Sequence, residues 1–181
     1  EAAFFQPDSP ADAEFKYRDN LINAYDNSIR YTDDFLSRLI GLLQRQDAGS
    51  AMLYTSDHGE DIFDDHRHLF LHASPVPSYY QLHVPFIVWT SDTYREKYPE
   101  HMDALQKNRH KSVASNRVVF HSVLDLAGVT TTYVNDSLSV ASPSYTEFPR
   151  FYLNDHNEPR SYDDIGLRKE DFEMFGKMGI R

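Results

Sequence analysis

The chain has 181 residues, enough for one domain at the usual scale of about 150 residues per domain. Its 28 Asp and Glu exceed 18 Lys and Arg, and the formal net charge of -10 disfavours a broad electrostatic grip on nucleic acid. A hydrophobic fraction of 40% argues against wholesale disorder, no apolar run is long enough to cross a bilayer, and the lack of Cys excludes disulfides and thiolate metal sites.

Residues 1 to 18 hold Pro7, Pro10 and scattered acids, and are predicted to be a loop or an entering linker. The start at Glu1, with no Met and no basic or apolar leader, reads as a cut end. A long helix is predicted over 19–46. Ile22, Tyr25, Ile29, Thr32, Leu36, Leu39 and Leu43 recur at steps of three and four, and Leu21, Phe35, Ile40 and Leu42 widen the stripe. That pattern predicts an amphipathic helix with a broad buried face. Asp47 to Ser50 breaks it.

Ala51 to Ser56 is short, mostly apolar and uncharged, and is predicted to be a buried strand. A long irregular loop follows, rich in His, Asp, Pro and aromatics, over 60–82. Val84 to Trp89 is a second strand, with Pro85 at its start. Residues 92–111 are polar and partly helical. A second clear helix runs from Ser115, as N-cap, to Ala127, with Val118, Val119, Ser122, Val123 and Leu126 on one face and Gly128 as its stop. Residues 135–181 lose periodicity and are expected to form an extended tail packed on the preceding part, residues 1–134. Helices and strands in this order give an α/β class, in which ligands gather at the carboxyl ends of strands.

The densest chemistry sits at such an end. Asp57-His58-Gly59-Glu60 follows the first strand, and Asp and neutral His are good ligands for zinc or a similar divalent ion. Neighbouring side chains of a regular strand point to opposite faces, so both can meet one ion only where the chain turns. Gly59 is expected to permit that turn by its conformational freedom. The competing explanation is a polar turn that merely closes a strand. His66, His68 and His72 follow within the loop, with His83 just before the next strand; one or two of them are expected to face the site, as a metal ligand, phosphate contact or general acid. The rest are expected to be solvated, with Asp61, Asp64 and Asp65 pairing with His66, Arg67 and His68. His121 reads as a packed or capping histidine, and His101, His110 and His156, without convergent neighbours, as histidines with no site role. Phe148, Phe151 and Tyr152 are read as wrapping a core, not as a base-stacking platform.

Taken in order, Asn23-Ala24-Tyr25-Asp26-Asn27, Thr32-Asp33-Asp34-Phe35, Met52 to Glu60, Leu71-His72 and His83-Val84-Pro85-Phe86 resemble the carboxy-terminal half of the lipid A-modifying phosphoethanolamine transferases. These belong to the sulfatase-like branch of the alkaline phosphatase superfamily. The resemblance covers about residues 15–130, and the ordered set of motifs is specific. It implies a three-layer α/β sandwich with a mainly parallel sheet. It implies that Asp57 and His58 bind a catalytic zinc and that His72 contacts the phosphoryl group or a second zinc, with His68 a rival because the spacing from Asp57 is longer than usual. It implies transfer of phosphoethanolamine from phosphatidylethanolamine, a phospholipid donor, to a lipid A or other surface-glycan phosphate. The nucleophile would be a threonine on an upstream strand that has no counterpart in this chain. The parent would be anchored in the inner membrane of a Gram-negative bacterium, with the catalytic domain in the periplasm, and this piece alone would be inert and bind zinc weakly. A sulfatase or phosphodiesterase of the same superfamily, or a non-catalytic sulfatase-like binding domain, stays open on these residues.

Overall fold

The computed structural model of the chain describes residues 15–72, 76–153 and 158–179. The loop expected around Pro7 and Pro10, and His156, lie outside the described residues. A 3-10 turn at Phe15–Tyr17 leads into α1, Arg18–Gln44. The helix forms where the periodicity placed it, but its apolar stripe is not buried. Only Leu21 is buried, and Ile29, Phe35 and Leu42 are each about half exposed. Near its start the helix meets the short strand Asp61–Ile62.

β1 (Ala51–Thr55) leads into two short strands, β2 (Asp61–Ile62) and β3 (Phe70–Leu71), then a single helical turn, α2 (Tyr79–Leu82), and β4 (Phe86–Thr90). β1 pairs with β4 antiparallel, from Ala51 opposite Thr90 to Thr55 opposite Phe86. Each strand pair among the described residues is antiparallel, so the mainly parallel sheet expected for the fold is not displayed by these residues. The reason is the path of the chain. It leaves β1 at Thr55, passes through β2, β3 and α2, and re-enters directly opposite at Phe86. A parallel pair needs a connection that crosses back over a face to the far end. The α/β class itself stands.

Beyond β4, Ser91 caps α3 (Asp92–Lys97) by accepting from Tyr94 N. Pro99 opens α4 (Pro99–Asn108), where its missing N–H costs nothing. α5 spans Ser115–Leu126; the N-cap is Ala114, so Ser115 is the first helical residue and makes no capping bond. Gly128, at φ +66°, closes that helix with its N–H on Asp125 O at 2.8 Å. Residues past 134 are more regular than an extended tail. They contain a 3-10 turn at Asp136–Leu138, a hairpin of β5 (Phe151–Leu153) and β6 (Pro159–Ser161), and α6 (Lys169–Lys177).

The core lies between the β1–β4 pair, the helices after it and the tail. Tyr94, Leu126 and Ala141 form one cluster with Val88 and Leu105 against it; Val118, Val140 and Tyr145 form another. Each fully buried side chain of this size contributes about 1.5–3 kcal/mol. No described helix is long and apolar enough to cross a membrane. The packing therefore fixes β4 and, through its pairing, β1.

Candidate active site

After Thr55 the chain turns, and Ser56 Oγ donates to His58 O at 2.7 Å. Asp57 projects into solvent, and its Oδ1 accepts from His58 N at 3.1 Å. Backbone N–H bonds, its own first, and the neighbouring His58 hold its carboxyl below the ordinary range. His58 Nδ1 lies 3.0 Å from Gly59 O, and Nε2 lies 3.7 Å from Asp57 Oδ2. Donation from Nδ1–H to that carbonyl assigns the tautomer by its hydrogen bond and leaves the Nε2 lone pair facing Asp57.

Gly59 N donates to Gln81 O at 2.9 Å, so the turn is laid against α2. A Cβ at residue 59 would lie 2.0 Å from Tyr80 O. Glycine is required here by that close approach of backbone to backbone, since its φ lies outside the left-handed region. The expected reason, conformational freedom, is replaced by a steric one.

His72 Nδ1 donates to Glu60 Oε1 at 2.8 Å, and the His72 and His58 rings lie 3.8 Å apart. Ligand atoms of His58, Glu60 and His72 all fall within 4.8 Å of one another. Glu60 Oε2 is buried with no hydrogen-bond partner among the described residues. Imidazole nitrogens, carboxylates and one carboxylate oxygen without a partner form a donor set that fits zinc or a similar divalent ion.

His58 and His72 are thus brought together with Glu60, while Asp57 lies beside His58 and outside that group of three. His68 is not among them; it is exposed, at φ +51°, and stacks on Phe15 with centroids 4.0 Å apart. His66 Nε2 faces Glu170 at 3.9 Å. His83 Nδ1 meets Tyr79 OH at 2.6 Å, and burial, then Arg150, lowers its basicity. The expected loop pairs are only partly made: Asp65 holds Arg67, but Asp61 accepts from Ser78 Oγ and Gln81 Nε2, and Asp64 from Ile62 N. The role of Glu60 was not evident from the sequence. Its signal was spacing, since residues two apart in extended chain share a side.

A cleft of about 960 Å³ opens beside this cluster, walled by Asp57, His58, Phe86, Arg109, Lys111 and Arg150, with β5 also lining it. Among the described residues, Asp57 is the only acid in that lining, against three Lys and Arg. In a chain of net charge -10 this suits an anionic group.

Fold and site together define an α/β chain with a cluster of imidazole nitrogens and carboxylate oxygens where a strand ends. The family model described as Sulfatase matches residues 1–129, and the chain belongs to that family. It is 33% identical over 130 residues to the phosphoethanolamine transferase EptA of Salmonella typhimurium, an alignment over 70% of this chain and 23% of that protein. The crystal structure of the C-terminal periplasmic domain of the phosphoethanolamine transferase EptC from Campylobacter jejuni superposes with a TM-score of 0.63 at 28% identity, over 81% of this chain and 46% of that one. The integral membrane lipooligosaccharide phosphoethanolamine transferase A of Neisseria meningitidis gives 0.61 at 28% identity, over 68% and 23%. The chain therefore shares the alkaline phosphatase/sulfatase-like fold of these domains, and it spans less than a quarter of the length of EptA.

Proposed function

We propose that this chain is the carboxy-terminal part, divided near residues 134 and 135, of a zinc-dependent phosphoethanolamine transferase anchored in an inner membrane with its catalytic domain in the periplasm. One observation carries the reading: the Asp57–His58 pair at a strand end meets a His72–Glu60 pair through imidazole rings whose centroids lie 3.8 Å apart. The similarity to named phosphoethanolamine transferases supports it. The exposed apolar stripe of α1 supports a larger domain that covers it.

Asp57 and His58 would hold the zinc, His58 through Nε2. When bound, zinc withdraws charge from phosphoryl oxygens and favours an alkoxide nucleophile. With Nδ1 on Glu60, His72 presents its other ring nitrogen to the phosphoryl group, where it neutralises charge or donates a proton to the leaving oxygen. His68 has no such place in this reading. In the reaction, a threonine oxygen from outside this chain attacks the phosphorus of phosphatidylethanolamine, and the bond to diacylglycerol breaks. Diacylglycerol leaves with a proton. A phosphate oxygen of lipid A or another surface glycan then displaces the threonine, completing the transfer. Arg109, Lys111 and Arg150 give the cleft the charge that such phosphates require. Alone, the chain would be inert and bind zinc weakly.

The test is a full-length assay with phosphatidylethanolamine as donor and lipid A as acceptor, read by mass spectrometry, alongside an aryl sulfate. Phosphoethanolamine on the acceptor supports the reading. Sulfate release without transfer overturns it in favour of a sulfatase.

A further inference from the structure

Asp171 has no accessible surface, and Arg67, 104 residues earlier, keeps 6% of its side chain exposed. The guanidinium forks onto Asp171, Nη1 to Oδ2 and Nη2 to Oδ1, both at 2.8 Å, and its Nε and Nη2 also reach Asp65. Asp171 Oδ1 accepts from Tyr79 N at 2.8 Å and Oδ2 from Arg168 N at 3.0 Å. One carboxylate on α6 therefore grips both flanks of the site: the loop that carries His72, through Arg67, and the start of α2, through Tyr79.

α2 is the wall beneath the Asp57–His58 turn. It gives Gln81 O to Gly59 N, and Tyr80 O touches the Gly59 α-carbon side. Buried Asp61, next after Glu60, ties back to it through Ser78 and Gln81. α6 lies beyond residues 1–129, the span of the Sulfatase match. A buried ion pair is weak evidence for stability, since well-packed apolar groups often serve as well. Its placement between the two flanks asks for another role.

We propose that Asp171 is a positioning residue for the metal-binding turn, acting through Arg67 and α2. The inference rests on the reading that Asp57 and His58 hold the metal. Outer partners of metal ligands typically change affinity or activity about tenfold to a hundredfold when removed. In the full-length protein, Asp171→Asn should weaken zinc binding, measured by competition with a chromophoric chelator, by about that factor. It should lower kcat for phosphoethanolamine transfer and leave KM for the lipid donor unchanged. Asp164→Asn, in the same tail and with its carboxylate accepting from Ser161 Oγ on the surface, should change neither. Arg67→Ala added to Asp171→Asn should cost no more than Asp171→Asn alone, because both break one unit.

Full zinc affinity and kcat in a folded Asp171→Asn protein, or strictly additive effects of the two substitutions, would overturn the proposal and leave a purely structural ion pair. If Asp171→Asn does not accumulate folded, Arg67→Lys, which keeps the charge and loses the fork, carries the same test. A wild type that binds zinc but transfers nothing sinks the functional reading alone, and the zinc measurements still decide this one.

Discussion

His72 and Glu60, twelve residues apart, are joined by a hydrogen bond of 2.8 Å from Nδ1 to Oε1. The bond fixes which imidazole nitrogen is free, and Glu60 keeps its other oxygen buried. Glu60→Ala should leave His72 free to rotate and lower phosphoethanolamine transfer by the full-length enzyme about tenfold to a hundredfold. Glu60→Gln, which still offers an acceptor oxygen, should lose less. Steady-state kinetics of the two variants check this. Equal and full activity in both would remove Glu60 from the site.

Gly59→Ala tests the wall behind the turn. The added methyl would sit 2.0 Å from Tyr80 O, a main-chain atom that cannot swing away. Overpacking of this kind costs typically about 1–3 kcal/mol, and a backbone clash belongs at the upper end. Chemical denaturation should show that loss, with transfer activity falling too because His58 is displaced. An alanine variant of wild-type stability would show that α2 is not held against the turn.

How far the sequence carried this account follows from the range of each interaction. Asp57-His58 was legible because an uncharged strand ends there, a purely local cue. α1 was legible as a stripe, but a stripe does not say what covers it, and its face is open among the described residues. His72 was singled out through the family resemblance, and its choice over His68 needed the stacking of His68 on Phe15. Arg67 looked like a solvated loop residue paired within its own segment. Its partner Asp171 lies 104 residues away, a distance that no periodicity reports. The antiparallel β1–β4 pair was hidden for the same reason: strand direction depends on the path of the chain between them.

The Asp171 carboxylate also predicts a pH dependence. Burial pushes its pKa up, but hydrogen bonds from Arg67, Tyr79 N and Arg168 N outweigh burial and leave it lowered. A carboxyl whose folded pKa is depressed contributes stability that is present above its unfolded value of about 3.9 and lost as pH falls through the folded value. Asp61 has the opposite sign, since burial raises it, and its contribution fades as pH rises through that raised value. Asp171→Asn should lower the unfolding free energy at pH 7 by about 3–5 kcal/mol, as for a broken buried pair. Its stability curve should also be flatter than wild type below about pH 4. Urea titrations across pH 3 to 7 read both effects. Parallel curves would assign the acid limb to other carboxyls.

That Asp57 and His58 hold the catalytic metal is the proposal on which the site's chemistry depends. Its most direct test is the zinc content of the full-length protein, measured by mass spectrometry after dialysis, for wild type, Asp57→Ala and His58→Ala, with transfer assayed on the same samples. The account predicts that each substitution lowers bound zinc and abolishes transfer while the protein stays folded. Full zinc content with normal transfer in both variants would contradict it.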